Sequence, residues 1–219
     1  MGTLTSQEAQ DRLSVAAALD HLWSETMGLP EGDSKERPLG LVAQLLERER
    51  VPYALIGGVA VQLHSEEPRT TLDIDVAVPT YAQVPRAALL GAGFEHTGRH
   101  AHSDNWRAPG SGPLMSRTAV QFSAEDEGLA EAVEHAITVD LRSGMRLRVA
   151  TVASLIALKL AAAEEPERRP SKRAHDIADV LALLEEHPES DSPVLRDRLH
   201  RIRTGIFGAI DNDAPARST

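Results

Sequence analysis

Apolar positions along the chain fall into short unbroken runs in some stretches and into helical spacing in others. Tyr53–Ile56 and Leu72–Val78 are short apolar runs that read as buried strands, the second carrying Asp73 and Asp75 within it. Between them, Gly57-Gly58 leads into a short helical turn, Val59–His64. Ahead of them, residues 6–27 place Leu13, Ala17, Leu19 and Trp23 on an amphipathic helix, and Leu39–Arg50 repeats Leu39, Val42, Leu45 and Leu46 at helical spacing. Gly28–Pro38, with its glycine, proline and charge, reads as the linker between these two helices.

Beyond the second strand, Pro79-Thr80 ends the run and is expected to cap a helix over Tyr81–Leu90, closed by Gly91-Ala92-Gly93. From Phe94 to Ser123 the pattern is one of strands and loops, with a turn at Gly110–Pro113 and a third core strand at Thr118–Phe122. A helix over Ala124–Ala136 follows, then a hairpin of Ile137–Leu141 and Leu147–Val149 around Ser143-Gly144. Thr151 caps an apolar helix over Val152–Ala163, Pro166–Pro170 breaks it, and two further helices span Lys172–Glu186 and Pro193–Arg203. Gly205–Thr219 reads as a loose tail. Strand, helix and strand, then more strands, then helices predict an α/β core with a helical C-terminal portion. The expected division is 1–37 as helical extension and linker, 38–150 as core, 151–204 as the helical portion and 205–219 as the tail.

Composition narrows the picture. At 219 residues, the length suits one core with helical additions. Aromatics make up only 3%, so alanine, leucine and valine must build the core. The absence of cysteine excludes disulfides and thiolate metal sites. No run reaches the length of a membrane span and no signal-peptide pattern opens the chain, so a cytoplasmic protein without membrane contact is expected. A net charge of −10 argues against a uniformly basic nucleic-acid surface but permits a local patch. Of the 23 basic residues only Lys35, Lys159 and Lys172 are lysines, which draws attention to where each lysine stands.

The candidate chemistry centres on residues 51–78. A glycine pair after a strand lets the backbone turn sharply and approach a ligand, and a helix opening there aims free N–H groups at an anion. Asp73 and Asp75 are spaced i, i+2, so both carboxylates leave one strand face. No lysine or arginine lies between them, and Mg²⁺ with nucleotide phosphates is a common way to relieve such a pair. A solvated Asp-x-Asp on an edge strand is the plainer reading.

Gly57-Gly58 followed by Asp73-Ile74-Asp75 resembles the opening motif of the nucleotidyltransferase superfamily related to DNA polymerase β. Arg69-x-Thr71-x-Asp73-Ile74-Asp75 is similar to its AbiEii-type branch, the toxin partners of abortive-infection and type IV toxin–antitoxin systems. The resemblance implies a mixed, mostly antiparallel sheet flanked by helices, with Mg²⁺ on Asp73 and Asp75 and a nucleotide held by Gly57, Gly58, Arg69, Thr71 and Lys159. Lys159 closes Leu155-Ile156-Ala157-Leu158-Lys159, matching the apolar helix whose lysine holds the triphosphate in that family. On its own it is an isolated ammonium that must reach a partner or solvent. Asp176 matches the family's active-site aspartate in a pattern that continues to Asp179, with His175 where lysine is usual. The superfamily's third carboxylate falls at Gln121, while Glu125, Asp126 and Asp140 fit that slot less well.

The implied activity is Mg²⁺-dependent transfer of a nucleoside monophosphate from a nucleoside triphosphate, with Asp73, Asp75, Lys159 and Asp176 as catalytic residues. A toxin-like enzyme with a transfer RNA or protein acceptor, partnered by an antitoxin, stands first. A small-molecule enzyme acting on an aminoglycoside or lincosamide, or a catalytically silent nucleotide- or partner-binding relative, are the alternatives. His96, His100, His102 and Asp104 invite a zinc site but lack its regular spacing, so loop histidines are expected. Trp106-Arg107 offers a stacking surface and an anion contact for the nucleotide. Two basic clusters, Arg168-Arg169-Lys172-Arg173 and Arg196-Arg198-Arg201-Arg203, read as solvated helix faces balanced by Glu164, Glu165 and Asp197, and as candidates for holding an RNA backbone.

Overall fold

The computed structural model describes residues 5–26, 35–66, 71, 73–100 and 102–213. Two helices, α1 (Ser6–Thr26) and α2 (Glu36–Arg48), lead into β1 (Ala54–Ile56), α3 (Gly57–His64) and β2 (Asp73–Ala77). Then come α4 (Arg86–Gly91), β3 (Glu95–His100), β4 (Ser103–Arg107), β5 (Ala119–Ser123) and α5 (Glu127–Glu134). The hairpin β6 (Ile137–Asp140) and β7 (Arg146–Val149) precedes three helices, α6 (Val152–Glu164), α7 (Pro170–Glu186) and α8 (Pro193–Asp213). The strands form one seven-stranded sheet in the order β3-β4-β5-β2-β1-β7-β6. Only β1–β7 and β2–β5 run parallel, so the sheet is mixed and mostly antiparallel, flanked by helices.

Local chemistry explains most boundaries. Thr151 caps α6 by accepting from the Ser154 N–H, and Asp126 caps α5 through the Gly128 and Leu129 N–H groups. The helix expected over Tyr81–Leu90 does not form as one piece. A 3₁₀ turn covers Tyr81–Gln83, Val84 is extended, and α4 begins after Pro85. Proline disfavours the helical conformation in the residue before it, so Pro85 splits the segment. Thr80 caps nothing and hydrogen-bonds the Gln83 side chain instead. At the C-terminal end, α8 runs past Arg203 to Asp213, because Ile202 and Ile206 are both buried and carry the apolar stripe beyond Gly205.

The sheet has one greasy and one polar face around β2. Ile74, Val76, Val120, Phe122 and Trp106 are buried on one side, with Leu39, Leu46 and Leu89 also fully buried in the core. Asp73, Asp75, Gln121, Asn105 and Arg107 alternate with them and remain partly exposed on the other. Register places these polar residues in rows, because directly paired residues share a sheet face. Among the described residues, no helix is long and apolar enough to cross a membrane.

His64, at the end of α3, ties this helix to the C-terminal helices. Its Nε2 donates to the Ala150 carbonyl at 2.9 Å, and His187, after α7, donates to the His64 carbonyl at 3.0 Å. Burial pushes its pKa down to about 4, the Ala150 bond offsetting part of that and His187 and Arg12 adding to it. The native state therefore keeps His64 neutral while the unfolded chain protonates near pH 6.5. Stability from this site is full above pH 6.5 and falls as pH drops toward 4, by roughly 3 kcal/mol. His64→Gln, which keeps an N–H donor, should show a smaller loss of urea midpoint between neutral and acid pH than the wild type. An identical pH dependence in the two proteins would remove His64 as the cause.

Candidate active site

The site is built on β2, which is a central strand between β1 and β5 rather than an edge. Asp73 and Asp75 project from its polar face, flanked by buried Ile74 and Val76. Gly57, at the first position of α3, adopts φ +64 and lies directly against the Asp75 carboxylate, where a methyl group would overlap it. A positive φ and the loss of a Cβ are what glycine alone supplies without strain. Gly58 makes the same close approach to Thr71, whose hydroxyl would sit 2.5 Å from an added Cβ. The glycine pair thus brings the start of α3 onto the strand that carries the carboxylates. Arg69 lies outside the described residues.

Gln121 occupies the neighbouring position on β5. It is in register with Asp75, and its Nε2 donates to Asp73 Oδ2 at 2.7 Å. A carboxylate only accepts, so the amide nitrogen must be the atom that faces it. Glu125 and Asp126 follow β5 in its loop, where Glu125 reaches toward Arg99 and Asp126 caps α5. Asp140 belongs to the β6–β7 hairpin and pairs with Arg146 at 2.9 Å. Gln121 is therefore the side chain that register sets beside the Asp-x-Asp pair.

Lys159 and Asp176 come together on α6 and α7. Lys159 Nζ stands 3.1 Å from Asp176 and 2.7 Å from Asp179, and Arg168 Nε stands 2.8 Å from the other Asp176 oxygen. Asp176 and Asp179 are almost fully buried and Lys159 is only 16% exposed, so it does not extend into bulk solvent. The helices carrying this cluster pack on α3, the helix that Gly57-Gly58 opens. Sequence analysis put Arg168 in a basic cluster and Asp179 in the pattern after Asp176, but foresaw neither the Arg168–Asp176 pair nor the Lys159–Asp179 pair. Arg168 sits across the proline break from Asp176, and no periodicity links the two.

Several other expectations change. Trp106 is buried on the apolar face and cannot stack on a nucleotide. Its indole N–H, the Arg86 guanidinium and His96 Nε2 all surround Asp104, at 3.3, 2.8 and 2.7 Å. Asp104 is thus a buried, fully paired carboxylate, and His96 and His100 lie on β3 rather than in a loop. Among the described residues no group of three or more His, Cys, Asp or Glu is placed to hold a metal ion. The basic clusters are largely committed: Arg173 is buried with its Nε on the Ala163 carbonyl, and Arg198 pairs with Glu164 at 2.6 Å.

Two carboxylates on a half-open face suit a hard cation that completes its shell with phosphate oxygens and water, as Mg²⁺ does. The seat of Asp75 against Gly57, where backbone N–H groups open α3, fits that use.

Comparison with known proteins bears on the fold and the family. The fold is similar to the crystal structure of an antigenic nucleotidyltransferase-like protein from Paracoccidioides brasiliensis, with 19% identity, a TM-score of 0.51, and coverage of 78% of this chain and 91% of that one. It is also similar to JHP933 from Helicobacter pylori, at 17% identity and TM-score 0.50 over 82% of this chain and 80% of that one. ANT(2″)-Ia in complex with adenylyl-2″-tobramycin aligns at 13% identity and TM-score 0.51, over 78% and 97% of the two chains. No curated protein matches the chain. The family model for the nucleotidyl transferase AbiEii toxin of type IV toxin–antitoxin systems matches residues 42–215, and the chain belongs to that nucleotidyltransferase family.

Proposed function

We propose that the chain transfers a nucleoside monophosphate from a nucleoside triphosphate to a macromolecular acceptor, RNA first. The observation that carries the reading is the seat of the Asp75 carboxylate against Gly57, beside Asp73 on the same strand face. Asp73 and Asp75 would hold Mg²⁺, which when bound would neutralise phosphate charge as the transition state forms. The Gly57-Gly58 backbone lets the phosphates come close, and Lys159 offers a cation to the triphosphate. Asp176, clamped by Arg168, orients that lysine.

In the reaction an acceptor hydroxyl oxygen forms a bond to the α-phosphorus while the bond from that phosphorus to the α–β bridging oxygen breaks. Pyrophosphate leaves with the bonding pair, and the hydroxyl proton passes to solvent. Gln121 cannot take that proton at neutral pH, so its amide serves to fix the Asp73 carboxylate. Chemistry of this kind depends mainly on positioning and electrostatics, which supports activity with two aspartates. The amide at Gln121 also favours a second reading, a relative that binds nucleotide without transferring it. An antitoxin partner follows from the family alone.

The test is incubation with each α-labelled nucleoside triphosphate, Mg²⁺ and total transfer RNA, then with cellular protein and with an aminoglycoside and lincosamide panel. Label in RNA is the expected result, and label confined to an antibiotic or to protein would replace RNA as acceptor. Gln121→Asp is expected to transfer at the wild-type level or below, because the new charge repels Asp73. Transfer appearing only in Gln121→Asp would make the wild type a silent binder.

A further inference from the structure

The carboxylate pair has two unlike flanks. On one side of β2 stand β1, Gly57-Gly58 and α3, and on the other stand β5 and then β4. In an in-line displacement, the leaving pyrophosphate and the incoming hydroxyl lie on opposite sides of the α-phosphorus. With the triphosphate tail over Gly57-Gly58, the acceptor must arrive across β5 and β4. This step rests on the nucleotidyl-transfer reading.

Register defines the floor of that approach. Asp73, Ala119 and Arg107 form one row, and Asp75, Gln121 and Asn105 form the next. Beyond the aspartates this floor carries two amides, one methyl and one guanidinium. Arg107 lies two strands from Asp73, about 10 Å at ordinary strand spacing, with only the small Ala119 between them. Its Nη1 donates to the Arg117 carbonyl at 2.9 Å, which fixes the side chain without neutralising it. Glu95, its cross-strand partner, is taken by Arg117 at 2.6 Å instead. Among the described residues Arg107 makes no ion pair.

A fixed, unneutralised guanidinium on a β4–β5 floor that adds no carboxylate, with Glu95 at its β3 edge already paired with Arg117, suits a polyanion better than a polycation. We propose that the β4–β5 face is the acceptor platform, and that Arg107 binds a backbone phosphate of an RNA strand end whose hydroxyl is presented to the aspartates. A polycationic aminoglycoside meets the wrong charge there. Guanidinium also matches phosphate in geometry, through paired N–H donors.

Anisotropy of a labelled short single-stranded RNA, titrated without triphosphate over a salt series, tests the assignment. Arg107→Gln should weaken RNA binding about tenfold, as expected for one lost charge-assisted contact, and reduce the salt slope by about 0.7. Arg107→Lys should recover most of both. Mg²⁺–nucleotide affinity, measured alongside, reports whether the fold survives. Unchanged RNA affinity and slope in Arg107→Gln, or a wild type that does not bind RNA, overturns the platform. The RNA readout needs no catalysis, so a wild type that binds RNA through Arg107 yet transfers to no acceptor would remove the nucleotidyl-transfer reading instead.

Discussion

Asparagine at Asp73 or Asp75 should lower Mg²⁺-dependent nucleotide binding by at least about 100-fold, since disturbing even an outer partner of a metal ligand costs about 10- to 100-fold. Each change removes one of the two negative charges from the polar face of β2 while keeping side-chain size. The fold should tolerate it, and thermal midpoints should stay level or rise, because the like charges no longer oppose each other. Gly57→Ala supplies a second route to the same result. Its methyl would displace the Asp75 carboxylate and its φ of +64 would be strained, so nucleotide affinity should fall without any change in formal charge. Calorimetric titration with Mg²⁺ and a non-hydrolysable triphosphate measures all three variants. Wild-type affinity in both asparagine variants would separate the strand from metal binding.

Replacing Lys159 with methionine should be the most destabilising single change at the cluster, by about 3–5 kcal/mol, as for other broken buried pairs. Lys159 stands 3.1 Å from Asp176 and 2.7 Å from Asp179, both almost completely buried. Removing the ammonium takes away the cation that the two buried carboxylates share, while Arg168 stays 2.8 Å from Asp176. A thermal midpoint lower by roughly 6–20 °C would follow for a domain of this size. Stability alone does not separate a structural lysine from a triphosphate ligand. The double variant Lys159→Met/Asp179→Asn does, because it relieves the excess buried charge without restoring a cation. It should regain stability and still bind nucleotide poorly. Recovery of both would confine Lys159 to holding α6 and α7 together.

The contrast between these two regions shows how far sequence reaches. The Gly57-Gly58 turn, the i, i+2 spacing of Asp73 and Asp75, and the Thr151 cap are all local. Strand periodicity fixes which carboxylates share a face, so that half of the candidate site could be read directly. The hairpin at Ile137–Asp140 and Arg146–Val149 was legible for the same reason. The helix expected over Tyr81–Leu90 failed on an equally local rule, the effect of Pro85 on the residue before it, which helical spacing had masked.

By itself, then, the sequence determined the family, the order of elements and the shared face of Asp73 and Asp75, because each depends on residues close together along the chain. Tertiary structure alone decided what happens between distant residues. Lys159 was an isolated charge on an apolar helix until the packing of α6 on α7 gave it Asp176 and Asp179. Trp106 and Arg107 are adjacent in sequence, yet the pairing of β4 with β5 buries one in the core and sets the other on the sheet face that carries the aspartates. Pairing also set Gln121 against Asp73 at 2.7 Å, across 48 positions of chain. Strand partners and helix packing follow from how many apolar surfaces can be buried together, and that is a property of the whole chain.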